Sequence, residues 1–117
     1  MIRFLSRMAL AALWMPVGAS AEWIKAELTA YGPGCPHCVG KRRPDGIGAA
    51  GHKIKPYLHC AADKSIAFGT RIYALGQWWI VGDRGSRIRG NRLDLALPSH
   101  RAAKKFGLKR ERVWVER

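Results

Sequence analysis

The stretch Arg71-Ile-Tyr-Ala-Leu-Gly-Gln-Trp-Trp-Ile-Val-Gly-Asp-Arg-Gly-Ser-Arg-Ile-Arg-Gly-Asn-Arg-Leu-Asp-Leu95 decides the fold. Its apolar runs are short, rich in β-branched and aromatic residues, and cut by Gly76, Gly82, Gly85 and Gly90. Runs of that composition bounded by glycine read as strands joined by tight turns. The expected strands here are residues 70–75, 78–81 and 92–97. Working outward, residues 58–62 supply a strand before this block and residues 112–115 one after it. Residues 23–31 alternate apolar and polar side chains, the pattern of a first strand. Residues 99–106 read as a helix, with Ser99 as N-cap and Gly107 as the closing glycine. The expectation is a mainly β protein, a small β-barrel with one or two short helices.

The first residues have a separate meaning. Arg3 and Arg7 precede the apolar run Met8-Ala-Leu-Ala-Ala-Leu-Trp-Met-Pro16, which closes on Ala19-Ser-Ala21. A positive start, a short apolar run and a small-residue site describe a secretory signal peptide. The run is shorter than the ~20 residues a spanning helix needs. Residues 1–21 are therefore expected to be a signal peptide, and residues 22–117 one domain. That domain would be exported across the inner membrane, periplasmic or extracellular, and peripheral to the membrane at most. Loss of Arg3 and Arg7 lowers the formal charge of +13 by two units. So basic a chain is attracted to polyanions, and a secreted location favours envelope polymers over nucleic acid.

Residues 32–53 form a long loop holding Cys35-Pro-His-Cys38. A redox centre needs its first cysteine at a helix N-terminus, and no amphipathic helix follows. A zinc site from Cys35, Cys38, Cys60 and one of His37, His52 or His59 has half the required spacing. A disulfide from Cys60 to Cys35 or Cys38 is preferred, as it would remove loop entropy of ~3 kcal/mol. No metal and no cofactor is expected.

Eight acidic residues serve the whole chain. Glu22, Glu27, Glu111 and Glu116 lie near its ends, and Asp45 belongs to the Pro44-Asp-Gly46 turn. That leaves Asp63, Asp83 and Asp94 in or beside strands, where aspartate is disfavoured. Pairing with Arg84, Arg87, Arg89 or Arg92 would explain any one of them. It explains Asp94 least, because flanking Leu93 and Leu95 turn its carboxyl to the opposite face, toward a groove. Burial beside a second carboxylate favours the protonated form, which glycosidic cleavage requires of its acid.

The segments Ala61-Ala-Asp-Lys-Ser-Ile-Ala-Phe-Gly-Thr-Arg-Ile-Tyr73 and Val81-Gly-Asp-Arg-Gly-Ser-Arg-Ile-Arg-Gly-Asn-Arg-Leu-Asp-Leu95 resemble the 3D (three-aspartate) domain family. The resemblance begins at Tyr31 and runs through Pro98-Ser-His-Arg-Ala-Ala-Lys-Lys-Phe-Gly107 to the last strand. It implies a double-psi β-barrel related to the catalytic domain of membrane-bound lytic transglycosylase A. By that resemblance Asp94 is the general acid and then base, with Asp83 and Asp63 supporting it and Asp83 a candidate sugar ligand. The chain departs from the family where a Thr-x-x-Ser-Gly step is common. It reads Gly46-Ile-Gly-Ala-Ala-Gly-His52 there, and it is much shorter than the two-domain enzyme.

The expected substrate is the peptidoglycan glycan strand, with a protein partner completing the groove. Arg84, Arg87 and Arg92 are candidates for the lactyl or peptide carboxylates, and Tyr31 and Trp78 for sugar contacts. The alternatives are a non-catalytic wall-binding or partner-binding barrel and, last, a basic nucleic-acid-binding barrel.

Overall fold

The structure, a computed structural model, describes residues 20–34 and 45–117. The expected signal peptide, apart from its last two residues, and Cys35, His37 and Cys38 lie outside the described residues.

Six strands close into a barrel. They are β1 (Ala21–Tyr31), β2 (His59–Ala61), β3 (Arg71–Ala74), β4 (Gln77–Asp83), β5 (Arg92–Ala96) and β6 (Lys109–Glu116). The one helix among the described residues, α1 (His100–Phe106), lies between β5 and β6. Around the barrel the order is β1-β5-β2-β4-β3-β6. The pairs β1/β5 and β2/β4 are parallel and the rest antiparallel. A short sheet with two interlocked parallel pairings is the expected double-psi arrangement, and closure leaves no open edge.

Period-two alternation sorts the side chains. Leu28, Cys60, Ile72, Trp79, Val81, Leu93, Leu95, Val113 and Val115 point inward and form the core. Each fully buried large aliphatic contributes ~1.5–3 kcal/mol over its exposed state. Trp79 keeps its indole N–H satisfied by donating to the Ala74 carbonyl at 3.1 Å. β1 is the longest strand because it serves two neighbours, β6 along residues 21–28 and β5 along residues 27–31. β6 starts earlier than expected, at Lys109, because Lys109 to Arg112 pair with this long strand.

Ser99 caps α1 as expected, its side chain accepting from the Ala102 N–H at 3.1 Å. α1 packs close on the end of β1, where a Cβ on Gly32 would stand 2.9 Å from the Ser99 carbonyl carbon. Outside the barrel, Tyr31, Ile54, Ala61, Ile88 and Ala96 form a second buried cluster. It is covered by the flap of residues 45–58 and by the β4–β5 loop. Asp83 and Asp94 lie on that face.

Cys60 is a free, fully buried thiol, and its expected partners Cys35 and Cys38 lie outside the described residues. Its register places it there: Cys60 pairs with Val81 and Leu95 and points with them into the core.

Candidate functional site

Alternation alone would send Asp83 into the core, because Trp79 and Val81 point there. A bulge prevents this. The β2/β4 register runs His59 to Ile80 and Cys60 to Val81, then Ala61 to Asp83, skipping Gly82. One extra residue reverses the facing of the strand beyond it, a use of bulges common beside functional sites. Glycine fits because a Cβ at 82 would lie 2.9 Å from His52 Cε1 and 3.3 Å from His59 Cδ2. Asp83 thereby joins Ala61 on the outer face. From the other side of β2, Asp94 is also the Cα partner of Ala61, and it pairs with Thr29 of β1 as well.

Asp94 is 6% exposed. Its Oδ1 accepts from the Thr29 hydroxyl at 2.9 Å. Asp83, 7% exposed, has both oxygens engaged. Oδ2 accepts from the Tyr31 hydroxyl at 2.8 Å, and Oδ1 from the Ala49 and Arg84 backbone N–H groups at 2.9 and 2.8 Å. The flap is pinned again where Ala50 N–H donates to the Gly82 carbonyl at 3.2 Å. Asp83 thus holds the flap against the barrel, with no oxygen spared from protein donors.

Asp63 lies beyond the end of β2, where its Oδ2 accepts from the Ser65 N–H at 2.9 Å and closes a turn. The Ser65 side chain and amide, then the Gly90 N–H and the Lys64 charge, hold its carboxyl below the ordinary value. It is an ionised turn-former tying the β2–β3 turn to Gly90, as turn chemistry alone would have it.

The other expected contacts divide. Tyr31 is 2% exposed and belongs to Asp83, not to a ligand surface. The Arg84 guanidinium donates to the Ile66 carbonyl at 2.7 Å and the Ala62 carbonyl at 3.3 Å, and lies 4.0 Å over the Phe68 ring. It braces the β2–β3 turn. Arg92 stands two residues before Asp94 on the same face, and its Nε is buried with no hydrogen-bond partner. Trp78 is exposed but five residues along β4 from Asp83, ~17 Å at strand rise.

Thr29 and Ala49 were not singled out from the sequence, and His59 only as one option for a zinc ligand. Thr29 was legible in principle, as the polar outward position between inward Leu28 and the Tyr31 end of β1. His59 packs against His52 with ring centroids 4.9 Å apart, and its Nδ1 accepts from the Lys55 N–H at 2.8 Å. Burial, then His52 and Lys55, push its pKa below the ordinary value, and Asp83 pulls the other way.

A family model, the 3D domain, matches residues 59–116. Residues 59–116 are a 3D domain. This family is linked to lytic transglycosylase-like cell-wall enzymes. No curated protein and no solved structure matches the chain. The 3D domain match begins at β2 and contains all three aspartates, yet β1 lies before it. The 3D domain barrel is closed only by that added strand, which also brings the Thr29 and Tyr31 hydroxyls to Asp94 and Asp83.

Proposed function

We propose that this protein is a secreted, lytic transglycosylase-like enzyme that cleaves the β-1,4 bond between N-acetylmuramic acid and N-acetylglucosamine. Asp94 protonates the departing glycosidic oxygen as the anomeric C–O bond breaks. The carboxylate so formed takes the proton from the muramic acid 6-hydroxyl, whose oxygen bonds to the anomeric carbon. The products are a 1,6-anhydro end and a new free hydroxyl, with Asp94 again protonated and no water consumed.

The observation that carries this reading is the division of roles among the three carboxyls. Asp63 is held ionised by a turn, and Asp83 has both oxygens engaged by the protein. Asp94, buried on the same face and oriented by the Thr29 hydroxyl, is the carboxyl to which proton transfer is assigned. Hydrolases using an external nucleophile ordinarily need two working carboxyls, whereas an internal hydroxyl nucleophile needs one. Arg92, two residues away, is suited to a lactyl or peptide carboxylate. Export to the periplasm or cell surface is proposed from Arg3, Arg7 and the Ala19-Ser-Ala21 site. A partner protein covering the open outer face would complete the groove.

Incubation of the protein with purified sacculi, followed by mass spectrometry of the soluble fraction, tests the reading. Muropeptides with 1,6-anhydro ends are expected. Hydrated reducing ends would show hydrolysis instead, and intact sacculi would leave the barrel a wall-binding module.

A further inference from the structure

The barrel carries a second surface that the aspartate site does not use. Trp78 of β4 is paired with Tyr73 of β3, Tyr73 with Trp114 of β6, and Trp114 with Trp23 of β1. Four aromatic residues thus stand directly opposite one another across four consecutive strands, a row ~14 Å long at the ordinary strand spacing. Adjacent rings meet edge to face, Trp23 with Trp114 at 5.4 Å and Tyr73 with Trp78 at 5.2 Å. The four rings and Glu116 line a shallow, open hollow of about 460 Å³. Core packing does not explain the row. Trp23 is 53% exposed, Tyr73 38% and Trp78 37%, while the inward neighbours on the same strands fill the barrel.

Charge and position narrow the occupant. A guanidinium caps each end of the row: Arg71 lies 4.2 Å over Trp78 and 3.9 Å from Glu116, the carboxylate lining the hollow, and Arg112 lies 5.6 Å over Trp23. From Trp23 the outward side of β1 continues through Lys25 and Glu27 to Thr29, whose hydroxyl holds Asp94. Arg112 and Arg110 of β6 and Arg92 of β5 pair with Lys25, Glu27 and Glu27 along it. A second hollow, of about 290 Å³, lies on this path, lined by the cations Lys25, Arg110 and Arg112 and by Glu27 and Glu111. Apolar ring faces with flanking cations suit a polymer of pyranose rings, whose C–H faces stack on aromatics and whose substituents carry carboxylates.

We infer that the Trp23–Trp114–Tyr73–Trp78 row is a remote binding site for an acidic glycan strand, which then runs along β1 to Asp94. This rests on the cell-wall reading above. Six residues of β1 separate Trp23 from Thr29, ~20 Å, so the row grips sugars several units from the bond being cut. Its contribution is to binding and processivity, not to proton transfer.

Co-sedimentation with purified sacculi tests it, using Asp94→Asn to separate binding from cleavage. Asp94→Asn is expected to bind as the wild type does, whereas Trp23→Ala in that background weakens binding about tenfold and Trp23→Phe largely restores it. Both substitutions sit at a half-exposed position, and an unchanged circular dichroism melt verifies the fold. Trp78→Ala, at the far end of the row, should act in the same direction. Sacculus binding indifferent to Trp23→Ala and Trp78→Ala overturns the inference. So does a loss confined to phosphatidylglycerol vesicles, which would make the row a membrane contact, or a loss reversed by removing residues 1–21, which would make it a seat for that segment. Aromatic-dependent binding by a wild type that releases no anhydro product would support the row and sink the cleavage reading alone.

Discussion

Asp83 and Asp94 share one backbone partner, for each is paired with Ala61 from opposite edges of β2. Their Cα atoms are therefore two strand spacings apart, ~10 Å, over a floor made of a single methyl group. The Gly82 bulge creates this relationship by turning Asp83 outward. The two carboxyls share a face but are held differently: Asp83 binds the flap through the Ala49 N–H, whereas Asp94 accepts from the Thr29 hydroxyl and is the one proposed to transfer a proton.

Thr29 orients the Asp94 carboxyl through the 2.9 Å bond. Thr29→Val keeps the shape and removes the donor, costing ~1.5–3 kcal/mol for its bond to the carboxylate that forms as Asp94 gives up its proton. Anhydromuropeptide release should fall about 10–100-fold while the fold persists, as judged by circular dichroism. An unchanged rate would remove Thr29 from the site.

Tyr31→Phe takes the hydroxyl from Asp83 Oδ2. The half-satisfied buried carboxyl should cost ~1–3 kcal/mol, a melting temperature lower by at least ~4 °C. Hydrogen exchange at the Ala49 amide should quicken, because that N–H bonds the same carboxyl. A stability loss with no change at Ala49 would argue against Asp83 as the flap's anchor.

Much of this was legible in the sequence. The strand runs, the Ser99 cap and the inward Leu93 and Leu95 around Asp94 come from alternation and capping, which are local. The illegible part depends on register. Nothing local marks Gly82 as an extra residue opposite Ala61, and without it Asp83 cannot be placed. Nor does local pattern show that Cys60 faces the core or that the Arg84 guanidinium is taken by the Ile66 carbonyl, since both result from barrel closure. The aromatic row was half visible: Trp78 stood out as a sugar contact, but its alignment with Tyr73 and Trp114 depends on the strand pairing.

Burial, with Asp94 next in effect, pushes the Cys60 thiol up to about 12. A protonated, inaccessible thiol is unreactive. In a Cys35→Ser, Cys38→Ser variant, Cys60 should resist Ellman's reagent in the folded state and react fully in guanidinium chloride. Peptide mapping of the unreduced native protein should recover Cys60 unpaired. Recovery of Cys60 joined to Cys35 or Cys38 would contradict its packing in the core.

His59 gives the fold an acid limit. Its pKa is lowered from 6.5, so the folded state favours the neutral ring and the unfolded chain takes up the proton first. Stability is then fully present above about pH 6.5 and declines as pH falls from there toward the lower folded value. His59→Asn retains an acceptor for the Lys55 N–H without that proton site. The melting temperature of the wild type should drop more between pH 7.5 and 5 than that of His59→Asn. Parallel declines would place the acid sensitivity elsewhere.

The assignment of proton transfer to Asp94 is tested most directly by the rate of 1,6-anhydromuropeptide release from purified sacculi by the wild type, Asp94→Asn and Asp83→Asn, each verified as folded. Loss of general acid–base catalysis is worth ~10²–10⁴-fold. The account predicts a loss of that size for Asp94→Asn, whereas Asp83→Asn, with flap and fold weakened, retains measurable release. Full activity in Asp94→Asn, or abolition confined to Asp83→Asn, would contradict it.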